Sequence, residues 1–486
     1  MKKITVISCL LIVVSTLFGQ TEQTAFTLTG HGLATTFSTD YQSIGLNPAN
    51  LDIASPFEGK RMAMGLAEFG ASVYSGMLTK DEVRKNLFGG DFKDLSRQEK
   101  LDYAIQFSQE PNAADIDVMV TGFSLQTEKL GSFAFSIRDK VDYYSQLGPK
   151  VSDLLWLGYT ADYFNQYVLS SGDTIDAYPN ISDDSLALII QGINNINPSS
   201  ITDLVQGTNF RFSWVREFNF AYGKQIINTD NLKVFGGIGL KYLIGQGLLE
   251  LYANNGQVSA FSALSPVFNI DYGDLVENNP SSLSSDAKNL TPVGRGFGVD
   301  IGTTVIIKDK IFLSAAVTDI GQMRWDGNVY GLNDITITDY ANAGLNNLNF
   351  YEQIAALSGG QGLVSWKGEQ SLTTKLPSVI RLGGGFKLND KFKAGVDVVN
   401  SFNESPGSFE KASIAVGAQF SPVRWVHLSM GYLTGGNYDM KIPAGVTFTI
   451  GQGAYECGIA SRDIITFFTE KQPTVSAAGG FLRFRF

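Results

Sequence analysis

The chain is 486 residues long and has little cysteine or histidine, only Cys9, Cys457, His31 and His427. Cys9 lies in an apolar leader, so Cys457 is the one thiol expected in the mature chain. No internal disulfide and no cysteine zinc site is then expected. Two histidines are too few for a His-rich metal centre. Charged residues are also scarce, at 17% against the usual quarter of a soluble domain. Lys and Arg number 37 against 47 Asp and Glu, a net charge of −10. No cationic surplus is left to neutralise phosphates, which excludes nucleic acid as an expected partner. Beyond the leader no apolar run reaches the roughly 18 residues of a membrane helix.

The leader itself is residues 1–20. Lys2 and Lys3 precede the apolar stretch Ile4 to Phe18, and Gly19 or Gln20 lies near the expected cleavage point. This is the pattern of an export signal peptide. Val6-Ile7-Ser8-Cys9 superficially resembles a lipoprotein box, but here the apolar core follows the cysteine.

Glycine (52 residues) and aromatics (12%) are plentiful, and the mean hydropathy is +0.02. A mean near zero is expected where apolar and polar residues alternate along strands. Phe297, Val299, Ile301, Thr303, Val305 and Ile307 alternate with Gly298, Asp300, Gly302 and Thr304. One face suits lipid and the other a polar or crowded interior. The rhythm recurs around Ile380–Leu388, Phe392–Val398, Ala412–Phe420 and Val426–Tyr432. It predicts about fourteen strands, at 61–75, 116–126, 130–140, 208–226, 232–246, 293–307, 310–321, 375–388, 391–401, 410–421, 424–433, 442–451, 453–462 and 474–486. Short polar turns alternate with links of roughly forty to seventy residues, the asymmetry of an outer-membrane barrel. Glu68 interrupts the outer face of the first strand, so a bulge is expected there. Helical spacing appears at Lys80–Leu87 and Leu95–Phe107, and 247–292 is expected to extend a hairpin above the membrane. The fold class is therefore all-β, a transmembrane antiparallel barrel over 61–486 with helical extracellular loops.

Residues 21–60 precede the first strand and contain Asn47-Pro48-Ala49. Read alone, Asn before Pro marks a turn. Placed ahead of about fourteen strands, the segment resembles that of the FadL family of long-chain fatty-acid transporters. In that family the N-terminal segment folds into the lumen as a hatch and carries such an Asn-Pro-Ala. The resemblance covers the mature chain in architecture and this motif in sequence. It implies a hatch over 21–60, passive passage of hydrophobic small molecules, and contact with outer-membrane lipid in a Gram-negative bacterium. The wider family includes the PorV-type barrel of the type IX secretion system. The alternative is therefore a structural or shuttle barrel with secretion-system proteins as partners. The closing run Phe481-Leu482-Arg483-Phe484-Arg485-Phe486 looks like the terminal strand that such barrels present for insertion.

Candidate site residues follow from this reading. Leu154, Leu155, Trp156, Leu157, Tyr159 and Phe164 form an apolar cluster in a long link. In FadL-type proteins such loops form a groove that first captures ligand; packing of the loop is the alternative. Inward charges are expected at Lys241, Asp300, Arg381, Lys387, Lys393, Asp397, Glu456, Arg483 and Arg485, paired because buried unpaired charge is costly. His427 is expected among them as a hydrogen-bonded structural residue. Inward glycines such as Gly237, Gly302 and Gly417 either leave room for a plug or a ligand, or relieve strain in a curved sheet. No nucleophile and base are spaced as a triad, so no enzyme, cofactor or metal is expected.

Overall fold

The computed structural model describes residues 25–32, 35–76, 79, 95–178, 181–283, 290–346, 350–359, 363–403, 412–436, 438–468 and 474–486. The leader at 1–20 and the helical stretch expected at 80–87 lie outside the described residues.

Fourteen antiparallel strands form a closed ring. They are β1 (Met62–Ser75), β2 (Asn112–Gln126), β3 (Ser132–Gln146), β4 (Asn209–Asn228), β5 (Leu232–Asn254), β6 (Gly294–Ile307), β7 (Ile311–Trp325), β8 (Val379–Asn389), β9 (Phe392–Ser401), β10 (Ser413–Val423), β11 (Val426–Gly435), β12 (Ala444–Ile450), β13 (Tyr455–Ser461) and β14 (Thr474–Arg485). Each pairs with its neighbours in sequence, and β14 pairs with β1 from Ala63↔Arg485 to Tyr74↔Thr474. Closure satisfies the backbone donors and acceptors around the ring, which is what lets strands exist in hydrocarbon.

Side chains alternate across the wall. Phe297 and Ile301 of β6 are exposed on the outside, while Gly298, Asp300, Gly302 and Thr304 are buried on the inside. Thr303 tolerates the outer face because its hydroxyl donates to the Phe235 carbonyl at 3.0 Å. In β1 the alternation changes phase at Ala67, whose φ is +51°. That bulge turns Glu68 inward, 4% exposed, and leaves Phe69 outside. The misfit seen in the sequence is thus the bulge it implied. Asp319 in β7 (φ +61°) shifts the phase of its strand in the same way.

The short turns lie at one end of the ring, with both strand termini Met62 and Arg485. The long links lie at the other end and build a cap. There β5 continues beyond the ring and pairs with Gln257–Leu264, which pairs in turn with Val329–Leu332 and then Trp366–Gly368. Helix α1 (Arg97–Gln109) starts at a capping box made by Ser96 and Glu99. Helix α2 (Pro149–Leu157) starts with Pro at its first turn and stops at Gly158, whose φ of +56° leaves helical space. Helix α3 (Phe350–Ser358) and the single turns Asp183–Leu186 and Ile201–Leu204 also lie in these links. A four-stranded sheet of Gln166–Leu169, Thr174–Asp176, Ile189–Ile193 and Asp339–Tyr340 lies apart from the ring.

Candidate functional site

Residues 25–32 and 35–53 run along the inner face of the ring. One helical turn, Phe26–Thr29, touches β12–β14, and two 3₁₀ turns, Asp40–Ser43 and Pro48–Asp52, cross toward β2–β6. The wall makes room for them with glycine. A Cβ at Gly237 would overlap the Pro48 and Ala49 backbone, and one at Gly417 would lie 2.8 Å from the His31 Cα. At these positions the glycines leave space for chain, the first of the two readings the sequence left open.

Asn47, Pro48 and Ala49 are where this contact is closest. Asn47 is fully buried. Its amide donates to Thr304 Oγ1 at 2.9 Å and to the Thr303 carbonyl at 3.3 Å, while its Oδ1 accepts from the Ala49 N–H at 3.2 Å. Asn50 completes the knot. It donates to the Thr35 carbonyl (2.8 Å) and Ser38 Oγ (2.9 Å) and accepts from Thr304 Oγ1 (2.5 Å). The motif therefore caps its own turn and fastens it to β6. A buried amide left without these partners would cost about 1–3 kcal/mol.

A charged cluster holds the next turn. Arg483 of β14 reaches Asp40 at 2.6 Å and Glu456 of β13 at 2.6 Å, and donates to Gln42 Oε1 at 2.8 Å. Arg485 reaches Glu456 at 2.7 Å. Tyr41 lies under the Arg483 guanidinium and donates to Glu68 at 2.5 Å, and the Gln42 amide donates to the same carboxylate at 2.8 Å. Three strands, β1, β13 and β14, and the segment thus share one network, with Arg483 only 1% exposed. Beside it lies a small cleft, with about 20 Å³ of free room, lined by Phe26, Tyr41, Glu68, Asp117, Met119 and Arg138 among others.

A second ion layer spans the wall alone. Arg138 grips Asp117 through two bonds of 2.8 and 3.1 Å, Lys140 meets Glu217 at 3.0 Å, and Lys241 lies between Asp300 (3.2 Å) and Asp319 (2.5 Å). Toward the cap an apolar layer follows, with Leu243, Leu248, Met323, Trp325 and Leu376 buried together. Reading along the inner face of β5, the order is Gly237 against the segment, Lys241 in the ion layer, then Leu243.

The remaining inward residues are placed as follows. Asp397 accepts from the Thr35 N–H at 3.0 Å. Lys393 sits over the Phe37 ring, 4.8 Å from its centroid. Arg381 is buried near Thr318 Oγ1 at 3.5 Å. His427 is bonded on both nitrogens, to Ser421 at 2.8 Å and Thr449 at 3.0 Å. Lys387 instead reaches Asp390 in its turn at 2.8 Å, half in solvent. The sequence did not single out Asp40, Asp117, Arg138, Glu217 or Asp319.

Of the apolar cluster in the long link, Leu154, Leu155, Trp156, Leu157 and Phe164 are buried and Tyr159 is partly so. They pack with α1, α3 and Phe210, Phe212 and Leu249 on the far face of the extended strands. Trp156 contacts Phe107 and Tyr103 at centroid distances of 5.0 and 5.2 Å.

A model of a protein family, described as a family of unknown function (DUF5723), matches residues 169–453, more than half of the chain. No curated protein matches the chain in sequence. Among solved structures it is similar to the toluene transporter TodX of Pseudomonas putida at 11% identity, over 97% of this chain and 99% of that one, with a TM-score of 0.44. It is also similar to the Ralstonia pickettii toluene transporter TbuX, at 11% identity over 96% and 98% of the two chains, TM-score 0.43. A Pseudomonas aeruginosa FadL homologue is similar at 11% identity over 96% and 97%, TM-score 0.41.

Proposed function

The chain belongs to the family of unknown function DUF5723, and we propose that it is an integral outer-membrane barrel of a Gram-negative bacterium. In this reading hydrophobic small molecules pass through it when its N-terminal segment moves. The observation that carries the reading is that residues 25–32 and 35–53 lie along the inside of a closed ring and are fastened by Asn47, Asn50 and Asp40 to opposite walls. The outer belt, with Leu240, Phe297 and Met430 well exposed, supports a ring set in lipid. The segment acts as a hatch. The apolar layer of Leu243, Leu248, Met323 and Trp325 receives the ligand on the cap side, where water is excluded. Displacing the turn at Asn47–Ala49 opens the way to the short-turn end. Passage is passive and runs down a concentration gradient. The cap residues Leu154–Leu157, Tyr159 and Phe164 shape the entrance by packing, and they meet ligand only where the cap loosens. The leader at 1–20 is removed on export.

The test pins the segment. In a Cys457→Ser background, Asn50→Cys and Thr304→Cys are introduced and the barrel is reconstituted in liposomes. Uptake of oleate and of toluene is expected to stop on oxidation and return on reduction. Equal uptake in both states, or none in either, removes the hatch mechanism.

A sealed structural barrel serving secretion-system proteins is the second reading. It is favoured by the apolar side chains Leu188, Ile190 and Ile196 exposed on the cap, outside any lipid belt. Native mass spectrometry separates the two. A stoichiometric protein partner without bound lipid supports the second, and a lipid adduct without protein supports the first.

A further inference from the structure

Among the described residues of the outer wall, a group of cations without ion-pair partners lies at the cap-side edge of the belt on β6 and β7. Outward residues of β6 run from Ile307 up to Phe297 without a charge, and Arg295 comes next. Those ten residues span about 34 Å of strand. At the usual tilt that is roughly 25 Å of bilayer, the full height of an apolar belt. Arg295 lies directly opposite Arg324 of β7. Arg324 pairs in turn with Thr373 of the short strand Leu372–Lys375, which puts Lys375 diagonally across from it. All three side chains are exposed. Like charges directly opposite on neighbouring strands repel, with Cβ atoms about 5 Å apart, so the pair is unfavourable unless something anionic lies between.

The same row supplies its own contrast. Arg216 of β4 stands one strand further on, through Ile244. It is held bidentately by Asp139 at 2.8 and 2.9 Å. Among the described residues Arg295, Arg324 and Lys375 have no such partner. In a chain of net charge −10, carboxylates are the commoner charged group, yet among the described residues none forms an ion pair with these three.

We infer that Arg295, Arg324 and Lys375 form a binding site for the phosphorylated headgroup of a lipid in the cap-side leaflet. Its acyl chains lie on Phe297 and Ile320 below. Two arginines a strand apart present forked donors that match phosphate oxygens. The site rests on the membrane reading of the belt and is independent of passage through the lumen.

The test is native mass spectrometry of the full chain in detergent, titrated with phosphatidic acid, with phosphatidylcholine and with inorganic pyrophosphate. Phosphatidic acid is expected to bind more tightly than phosphatidylcholine. The Arg295→Gln/Arg324→Gln double variant should lose about 30-fold in that affinity, at roughly fivefold per charge near a lipid surface. Lys391→Gln/Arg424→Gln, at the opposite rim, should keep it. Heat-modifiable migration on gels shows that each variant is folded. The inference falls if the arginine variant binds as wild type does, if the opposite-rim variant loses as much, or if pyrophosphate alone binds as tightly as the lipid. Equal binding of both lipids sinks this site and leaves the membrane reading standing. A chain that binds neither and stays soluble without detergent sinks the membrane reading itself.

Discussion

The ring and the cap are built from one chain by opposite rules. In the ring, Leu240 and Phe297 are more than half exposed, while Lys241, Asp300 and Arg483 are 2% exposed or less. In the cap, Leu154, Trp156 and Ile354 are fully buried among apolar neighbours. The difference reflects two solvents. Where lipid surrounds the wall, burial of apolar groups inside gains nothing, so the interior is free to hold charge provided each charge is paired. Where water surrounds the cap, the ordinary hydrophobic core returns.

The largest expected effect of breaking this contrast is at Arg483. Arg483→Ala leaves Asp40 and Glu456 without this partner, which should cost about 3–5 kcal/mol. Urea unfolding in detergent measures it, and limited proteolysis should find residues 25–53 newly cleavable. A loss under about 1 kcal/mol would mean the network behaves as surface ion pairs do. Next, Leu240→Arg on the belt should cost about 2–4 kcal/mol in bilayers, whereas Ile196→Arg on the cap, equally a replacement of an exposed aliphatic, should stay within about 0.5 kcal/mol. Equal costs would erase the distinction between the two surfaces.

The smallest effect is a pH dependence confined to the cap. Burial, with Asp162 nearby, pushes the Asp153 carboxyl up to about 6 from its ordinary 3.8, despite the N–H of Asp162 donating to it. The folded cap therefore holds this proton more tightly than the unfolded chain does. Its stability should rise as pH falls from 7 toward 4, with most of the change between 6 and 4. Hydrogen exchange of α1 and α2 amides at two pH values reads this, and Asp153→Asn should flatten the slope while ring amides do not respond. A slope that survives the substitution assigns it to another group.

The same contrast explains what could be read in the sequence. Each of the fourteen expected spans meets one ring strand, because within the belt the period of two holds except at the bulges. Several cap-side ends fell short, two of them most: β3 runs to Gln146 where 140 was expected, and β5 to Asn254 where 246 was expected. Above the belt both faces are covered, so Leu248-Leu249 shows no alternation. The bulges hid part of the lumen. Glu68 and Asp319 sit at or beside a change of phase, so counting alternate residues assigns them to the wrong face or to none. Only Glu68 gave a visible signal, as a charge on an otherwise apolar side. Asp40 belongs to the segment, where no period exists, and its pairing with Arg483 joins residues too distant in the chain for any local pattern to show.

The pairing of β1 with β14 has a consequence for how the molecule is made. Its two edges are separated by nearly the whole polypeptide, so the seam is sealed only after every intervening strand has been threaded. Until then, two long rows of amides remain open to any other strand that passes. Contacts of such separation form slowly. The arginines that lock Asp40 sit on that last strand, so the plug and the seam are secured in a single final event.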